Sequence, residues 1–199
     1  MKKLILEKLA NSVTTLQKVM SDEALLTTLA NAAAVTSKAM LAGRKLLVAG
    51  NGGSAADSQH LVAEFVSRLT IDRPAMRAIS LTTDTSILTA VGNDYSFDNV
   101  FERQIEAIGQ AGDVFLGIST SGNSTNILKA LALSRKLGIT TIGFSGRDGG
   151  RMPPLCDHIV IVPSDITASI QESHLALEHI YCHLVEIAFF GAEFFTKET

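Results

Sequence analysis

Residues 45–68 read Lys-Leu-Leu-Val-Ala-Gly-Asn-Gly-Gly-Ser-Ala-Ala-Asp-Ser-Gln-His-Leu-Val-Ala-Glu-Phe-Val-Ser-Arg, and this stretch decides the fold. It begins as a continuous apolar run, Leu46 to Ala49, the pattern of a strand buried on both faces. The run breaks at Gly50-Asn51-Gly52-Gly53, where the backbone needs freedom that a Cβ would deny. Ser54 is the expected N-cap of a helix whose apolar residues Leu61, Val62, Phe65 and Val66 recur at helical spacing. A strand, a glycine turn and a helix N-terminus form an anion-binding corner. His60 and Glu64, four apart, share one face of that helix.

Upstream, apolar residues from Leu4 to Met20 predict a helix over 2–20. A second helix is expected from Asp22 to Leu41, capped by Ser21 or Asp22 and closed at Gly43. Two leading helices are unusual before a minimal doubly wound domain, so their apolar faces are expected to meet another subunit. Downstream, Ala78–Leu81 reads as a short strand, followed by a helix from Thr82–Thr85 through Val91 and a polar break at Gly92–Tyr95. A helix from Phe97 to Ile108 leads to a strand at Asp113–Ile118, then Ser119-Thr120-Ser121-Gly122-Asn123-Ser124 and a helix to Leu137. Strands at Ile139–Phe144 and His158–Val162 follow, and Thr167 or Ser169 opens the last helix. Short apolar strands alternating with helices predict a five-stranded parallel α/β sheet covered on both faces. Residues 1–43 read as a helical pair packing in an oligomer and 44–199 as an α/β core, one domain in all.

Composition narrows the classes. With 46% hydrophobic and 19% charged residues, the chain is globular rather than disordered. Its net charge of −3 and the absence of a long basic run argue against nucleic acid as a partner. Glu7 and Lys8 interrupt the basic start before any signal-like apolar run, so no signal peptide is expected. The most apolar segment, Leu175–Phe195, carries Glu178, His179, His183, Glu186 and Glu193; it reads as a buried or interface helix, not a membrane span. Cys156 and Cys182 lack metal-type spacing and are expected to be free buried thiols.

The serine-rich run 119–124 is a second anion corner, with backbone N–H groups and the hydroxyls of Ser119, Ser121 and Ser124 able to hold a phosphate monoester without Lys or Arg. The bland alternative is that Ser121 or Asn123 only caps a helix. The last helix offers Gln171 and, about two turns on, His179. With His60 and Glu64 these would make a zinc shell; the same Glu and His could equally be general bases, or His60 and Glu64 a mere surface pair. His174 and His183 read as packing or surface groups and His158 as structural. Asn93 and Asp94 form a turn or hold sugar hydroxyls, and Arg147-Asp148-Gly149-Gly150 reads as turn chemistry.

Gly50–His60, Glu64, Gly92–Asp94, Gly117–Ser124, Arg147–Gly150 and Ile170–His174 together resemble the phosphoheptose isomerases of the sugar-isomerase (SIS) domain superfamily, with its flavodoxin-like sheet. The resemblance covers nearly the whole chain. It implies a cytoplasmic homotetramer with sites at subunit interfaces, one zinc per subunit, and no nucleic-acid or membrane partner. It implies conversion of sedoheptulose 7-phosphate to D-glycero-D-manno-heptose 7-phosphate, the first step toward ADP-heptose and the lipopolysaccharide core. By the same resemblance the zinc ligands are His60, Glu64, Gln171 and His179. Substrate contacts fall on Asn51, Gly52, Gly53, Glu64, Asn93, Asp94, Ser119, Thr120, Ser121, Ser124 and Gln171. Where some members carry an acidic and a basic residue, this chain has Ala168 and Ser169.

The corresponding chemistry is aldose–ketose isomerisation through an enediol, with Glu64 moving the proton between carbons and His179 serving the oxygens. The rival is a non-catalytic SIS-type protein that binds a replication initiator or senses sugar phosphates. That relative lacks the glutamate and last-helix histidine kept here as Glu64 and His179.

Overall fold

The computed structural model of the chain describes residues 1–192. Helices α1 (Lys2–Met20) and α2 (Glu23–Leu41) precede strand β1 (Leu46–Gly50), helix α3 (Gly53–Val66) and strand β2 (Ala78–Ser80). Helices α4 (Thr85–Asp94) and α5 (Glu102–Ile108) lead to β3 (Val114–Ser119), α6 (Thr125–Lys136), β4 (Thr140–Gly146), β5 (His158–Val162) and α7 (Thr167–Phe190). The strands form one parallel sheet in the order β2-β1-β3-β4-β5, the flavodoxin-like winding the sequence led us to expect. The winding reverses between β1 and β3, which opens a crevice beyond their carboxyl ends.

Side chains alternate across a strand, so the apolar runs feed two cores. Leu46, Val48, Leu116, Ile142 and Phe144 face a core built with Leu29 and Ala32 of α2, Leu61 and Phe65 of α3, and Leu177 and Tyr181 of α7. Leu47, Ala49 and Phe115 face the other, with Ile105 of α5 and Ile127 and Leu131 of α6. Tyr181 is the anchor on the first side. Its ring packs edge-on against Phe65 and Phe144, with centroids 6.1 and 6.2 Å away, and its hydroxyl lies 2.6 Å from Thr36 Oγ1 on α2. Truncating any of these rings to alanine would cost about 3–5 kcal/mol.

Helix α7 is buried along much of its length, as expected for Leu175 onward; Glu193 and Phe195 lie outside the described residues. Helix α2 is long and apolar enough to cross a membrane by length and composition, and it packs on α7 and β5. Asp22 caps α2 and Asp84 caps α4, each carboxylate accepting from a backbone N–H. Cys156 and Cys182 are free; Cys182 is buried and Cys156 half-buried, and burial pushes the Cys156 thiol up to about 12.

Three local expectations fail. Ser54 is not the N-cap of α3. The helix starts two residues earlier than a Ser54 cap would place it, behind Gly52 at φ 56, and Ser54 is buried in the first turn with its carbonyl accepting from the Ser58 hydroxyl. Gly92–Asp94 is not a polar break: α4 runs through it and ends at Tyr95, whose N–H still bonds the Val91 carbonyl. One glycine in a helix costs only about 1 kcal/mol, too little to end it. Residues 97–108 form two pieces, a 3₁₀ turn at Phe97–Asn99 held by Ser96 and then α5.

His174 ties α7 to β4. It is fully buried, and its Nε2–H donates to the Ser145 carbonyl at 2.9 Å. Burial pulls its pKa from 6.5 to about 4, against a smaller upward pull from that hydrogen bond. The unfolded imidazole gains a proton below 6.5 that the folded one refuses until about 4. This group's stabilisation is therefore whole above pH 6.5 and is lost as pH falls toward 4, by up to about 3 kcal/mol. Urea unfolding at pH 7 and pH 4.5 should show the drop, and His174→Gln, whose amide can still donate to Ser145, should flatten it.

Candidate active site

Both anion corners open on the β1/β3 crevice. Neither α3 nor α6 has a side-chain bond from its N-cap residue, in contrast to α2 and α4; in α6 the Ile127 N–H is taken by Asn126 Oδ1 at 2.9 Å, and in α3 the Ala55 N–H bonds the Gly52 carbonyl at 3.1 Å. An amide pair joins the corners. Asn51 Nδ2 donates to Asn126 Oδ1, and Asn126 Nδ2 returns a bond to Asn51 Oδ1, each at 2.9 Å. In the serine corner the Ser119 and Ser124 hydroxyls are 2.9 Å apart, and Ser121 Oγ accepts from the Asn123 N–H at 3.2 Å. Thr120 lies between them, half-buried.

A wall stands behind this corner. Gly122 has φ 65, and a Cβ there would fall onto the Gly149 carbonyl. The Arg151 N–H donates to the Gly122 carbonyl at 3.0 Å. The Arg147–Gly150 turn is a turn, as read from sequence, and it also backs the serine run.

The second cluster lies along the seam between α3 and α7. His60 Nε2 is 2.8 Å from His179 Nε2 and 3.6 Å from Glu64 Oε1. One donor atom from each of these three residues lies within 4.8 Å of the others. Glu64 and His179, distant along the chain, therefore meet within one protomer. Gln171 stands nearer the glycine corner, against the bare Cα of Gly53, where a Cβ would come 2.7 Å from its Cδ. Its Nε2 donates to both oxygens of Asp57, at 3.2 and 3.0 Å. That bond orients the amide and leaves Gln171 Oε1 as the end without a hydrogen bond among the described residues. Asp57 is buried; burial raises its carboxyl pKa, opposed by the bond from Gln171 and by nearby His60. A hollow of about 190 Å³ lined by Asp57, Ala168, Gln171, Glu172 and Leu175 opens beside it. Glu178 is fully buried and its carboxyl oxygens have no hydrogen bond among the described residues. Burial first, then the charge of Asp57, pushes its pKa up to about 8.

The chain matches the SIS domain over residues 9–146. It is 52% identical over 189 residues to phosphoheptose isomerase 2 of Campylobacter jejuni, covering 95% of this chain and 94% of that one. It is 48% identical over 191 residues to the phosphoheptose isomerase of Clostridium acetobutylicum, covering 96% and 97%. Its structure superposes on phosphoheptose isomerase GmhA from Neisseria gonorrhoeae with TM-score 0.87 at 39% identity, over 93% of this chain and 98% of the other. The chain belongs to the phosphoheptose isomerases of the SIS domain family.

For a phosphoheptose isomerase, one pair of expected residues stands apart in the single chain. Asn93 and Asp94 are exposed at the end of α4, and their side chains bond to each other at 2.7 Å, not to the seam or the serine corner. Two structural partners escaped the sequence reading. Asp57 shares a helix face with His60 and Glu64 at spacings of three and seven, a visible signal that was passed over. Asn126, two residues past Ser124, has no local pattern to mark it.

The two close approaches predict different outcomes. Gly122→Ala meets backbone at a positive φ, so it should lower unfolding stability by about 2–4 kcal/mol. Gly53→Ala meets only the end of a flexible side chain; it should cost under about 1 kcal/mol yet move the Gln171 amide off Asp57. Urea unfolding and crystal structures of both variants check this contrast.

Proposed function

We propose that this chain interconverts sedoheptulose 7-phosphate and D-glycero-D-manno-heptose 7-phosphate through an enediol, at the head of a route to ADP-heptose and the lipopolysaccharide core. The observation that carries the reading is the meeting of Glu64 with His60 and His179 on a seam that Gln171 closes over the glycine corner. Two helix N-termini and a run of hydroxyls stand at the same sheet edge and suit a phosphate and its sugar. The non-catalytic alternative gives that carboxylate and its imidazoles nothing to do.

The serine corner takes the phosphate through Ser119, Thr120, Ser121, Ser124 and the first N–H groups of α6. This fixes which carbons lie over the seam and removes much of the entropic barrier. Asn51, Gly52 and Gly53 line the other side. Glu64 moves the proton between adjacent carbons: its Oε1 faces His60, and Oε2, with no hydrogen bond among the described residues, is the atom that takes the proton. His179 serves the oxygens and ring opening when its ring is released from the metal; while it is held there, polarisation by the ion takes that part.

The donor set fits a zinc ion. Two imidazoles and a carboxylate are ordinary zinc ligands, and Asp57 turns the Gln171 amide so that its oxygen is the available end. His60, Glu64, Gln171 and His179 would hold one ion per chain, which supplies Lewis-acid polarisation of a substrate oxygen when bound.

The working form in this reading is a cytoplasmic homotetramer with sites completed between subunits. Leu4, Ile5, Leu6, Leu9 and Val13 leave an apolar stripe of α1 exposed, and Tyr95 and Phe97 are exposed beside Asn93 and Asp94. A neighbouring copy covering these surfaces would carry Asn93 and Asp94 to the sugar hydroxyls.

The test is incubation with sedoheptulose 7-phosphate, with and without a chelator, followed by product analysis and metal content on the same sample. Conversion, loss on metal removal and recovery with one zinc per chain are expected. Glu64→Gln should lower turnover by roughly 10²–10⁴-fold while sugar-phosphate binding survives. Turnover unchanged in that variant would refute the assignment.

A further inference from the structure

Arg73 lies on the loop between α3 and β2, and its side chain is wholly buried together with that of Glu186 on α7. Its guanidinium collects groups from both helices. Nη2 donates to the Glu64 carbonyl at 2.6 Å, and Nη1 to the Phe65 carbonyl at 2.7 Å and the Pro74 carbonyl at 3.1 Å. Nε donates to Glu186 Oε1 at 2.7 Å, with Nη2 2.6 Å from the same oxygen. The Phe190 ring lies 5.9 Å from the guanidinium carbon.

We propose that Arg73 and Glu186 are positioning residues that set the register of α3 against α7, and so the meeting of His60 and Glu64 with His179. The role of those three side chains rests on the reading under "Proposed function". The Glu64 carbonyl that Arg73 holds belongs to the residue whose carboxylate enters the cluster. Glu186 stands seven residues beyond His179, about two turns along the same helix. One planar cation thus links the end of one site-bearing helix to the body of the other.

Stability alone does not account for the pair. Part of the role of Arg73 is to satisfy the end of α3, which has no basic residue in its own last turn, and that part is stability. A buried ion pair is commonly no more stabilising than apolar residues of the same volume. A fork that bonds in several fixed directions instead restricts where two backbones can lie. Lysine, a single point of charge on a flexible stem, cannot hold both helices in this geometry.

The test uses Arg73→Lys and the double variant Arg73→Met with Glu186→Leu, which fills the space without the fork. Thermal unfolding, zinc affinity of the metal-free protein, kcat and KM, and the His60–His179 separation in crystals are measured. The double variant leaves the Glu64, Phe65 and Pro74 carbonyls without their donor, so it should unfold at a lower temperature than wild type while remaining folded under assay conditions. Both variants should bind zinc roughly tenfold or more weakly and lose kcat in proportion, with KM for the sugar phosphate within about twofold. The KM expectation follows because the serine corner lies on β3 and α6, away from the clamp. The His60–His179 separation should depart from 2.8 Å. A folded double variant with unchanged zinc affinity, kcat and separation overturns the proposal, as does failure of both variants to fold. A wild-type protein that neither binds zinc nor isomerises the sugar would instead overturn the functional reading, and the crystal separation would still decide the clamp.

Discussion

Position 53 has no side chain, and the amide of Gln171 occupies the space where one would be. The rest of the site depends on this approach. It lets the start of α7 lie against the start of α3, where Asp57 catches the Gln171 amide. Further along the seam His60 meets His179, and beneath them Phe65 packs on Tyr181. At the far end Arg73 joins the last carbonyls of α3 to Glu186. Contacts of four kinds hold one interhelical geometry, and the Glu64 carboxylate and the imidazoles of His60 and His179 are set out along it.

The sheet supplies the other half. Its order places β1 beside β3, so the two corners that follow these strands face one crevice. The Asn51–Asn126 pair then couples them side chain to side chain. The backbone of the Arg147–Gly150 turn closes on Gly122, so the serine run rests on main chain, which cannot swing away as a side chain can. A phosphate would therefore meet donors already arranged before it arrives. That suits a reaction whose difficulty lies in proton transfer between neighbouring carbons.

Much of this could be read from the chain itself. Leu46–Ala49 followed by Gly-Asn-Gly-Gly announces strand and corner, because fully buried strands and tight turns leave strong local marks. His60 and Glu64 are visible as a pair for the same reason: the helical repeat alone puts them together. Gly92 misled because a helix tolerates one glycine when neighbouring residues pack, and packing has no local mark. Ser54 misled because the cap was made by backbone at Gly52, with the hydroxyl not needed. Asn126 and Arg73 were invisible because their partners, Asn51 and Glu186, are 75 and 113 residues away.

Local stretches of chain already carry the alternation of strands and helices, the two corners beyond the strand ends, and the inventory of groups with acid–base or metal-binding chemistry. Those follow from periods and turns only a few residues long. It takes the folded chain to bring Glu64 and His179 to one point, to turn the Gln171 oxygen outward from Asp57, and to leave Asn93 and Asp94 away from both. Such facts depend on how two helices settle on one face of a sheet. That is a balance of side-chain volumes and buried hydrogen bonds contributed by residues far apart along the chain, and no local window contains it.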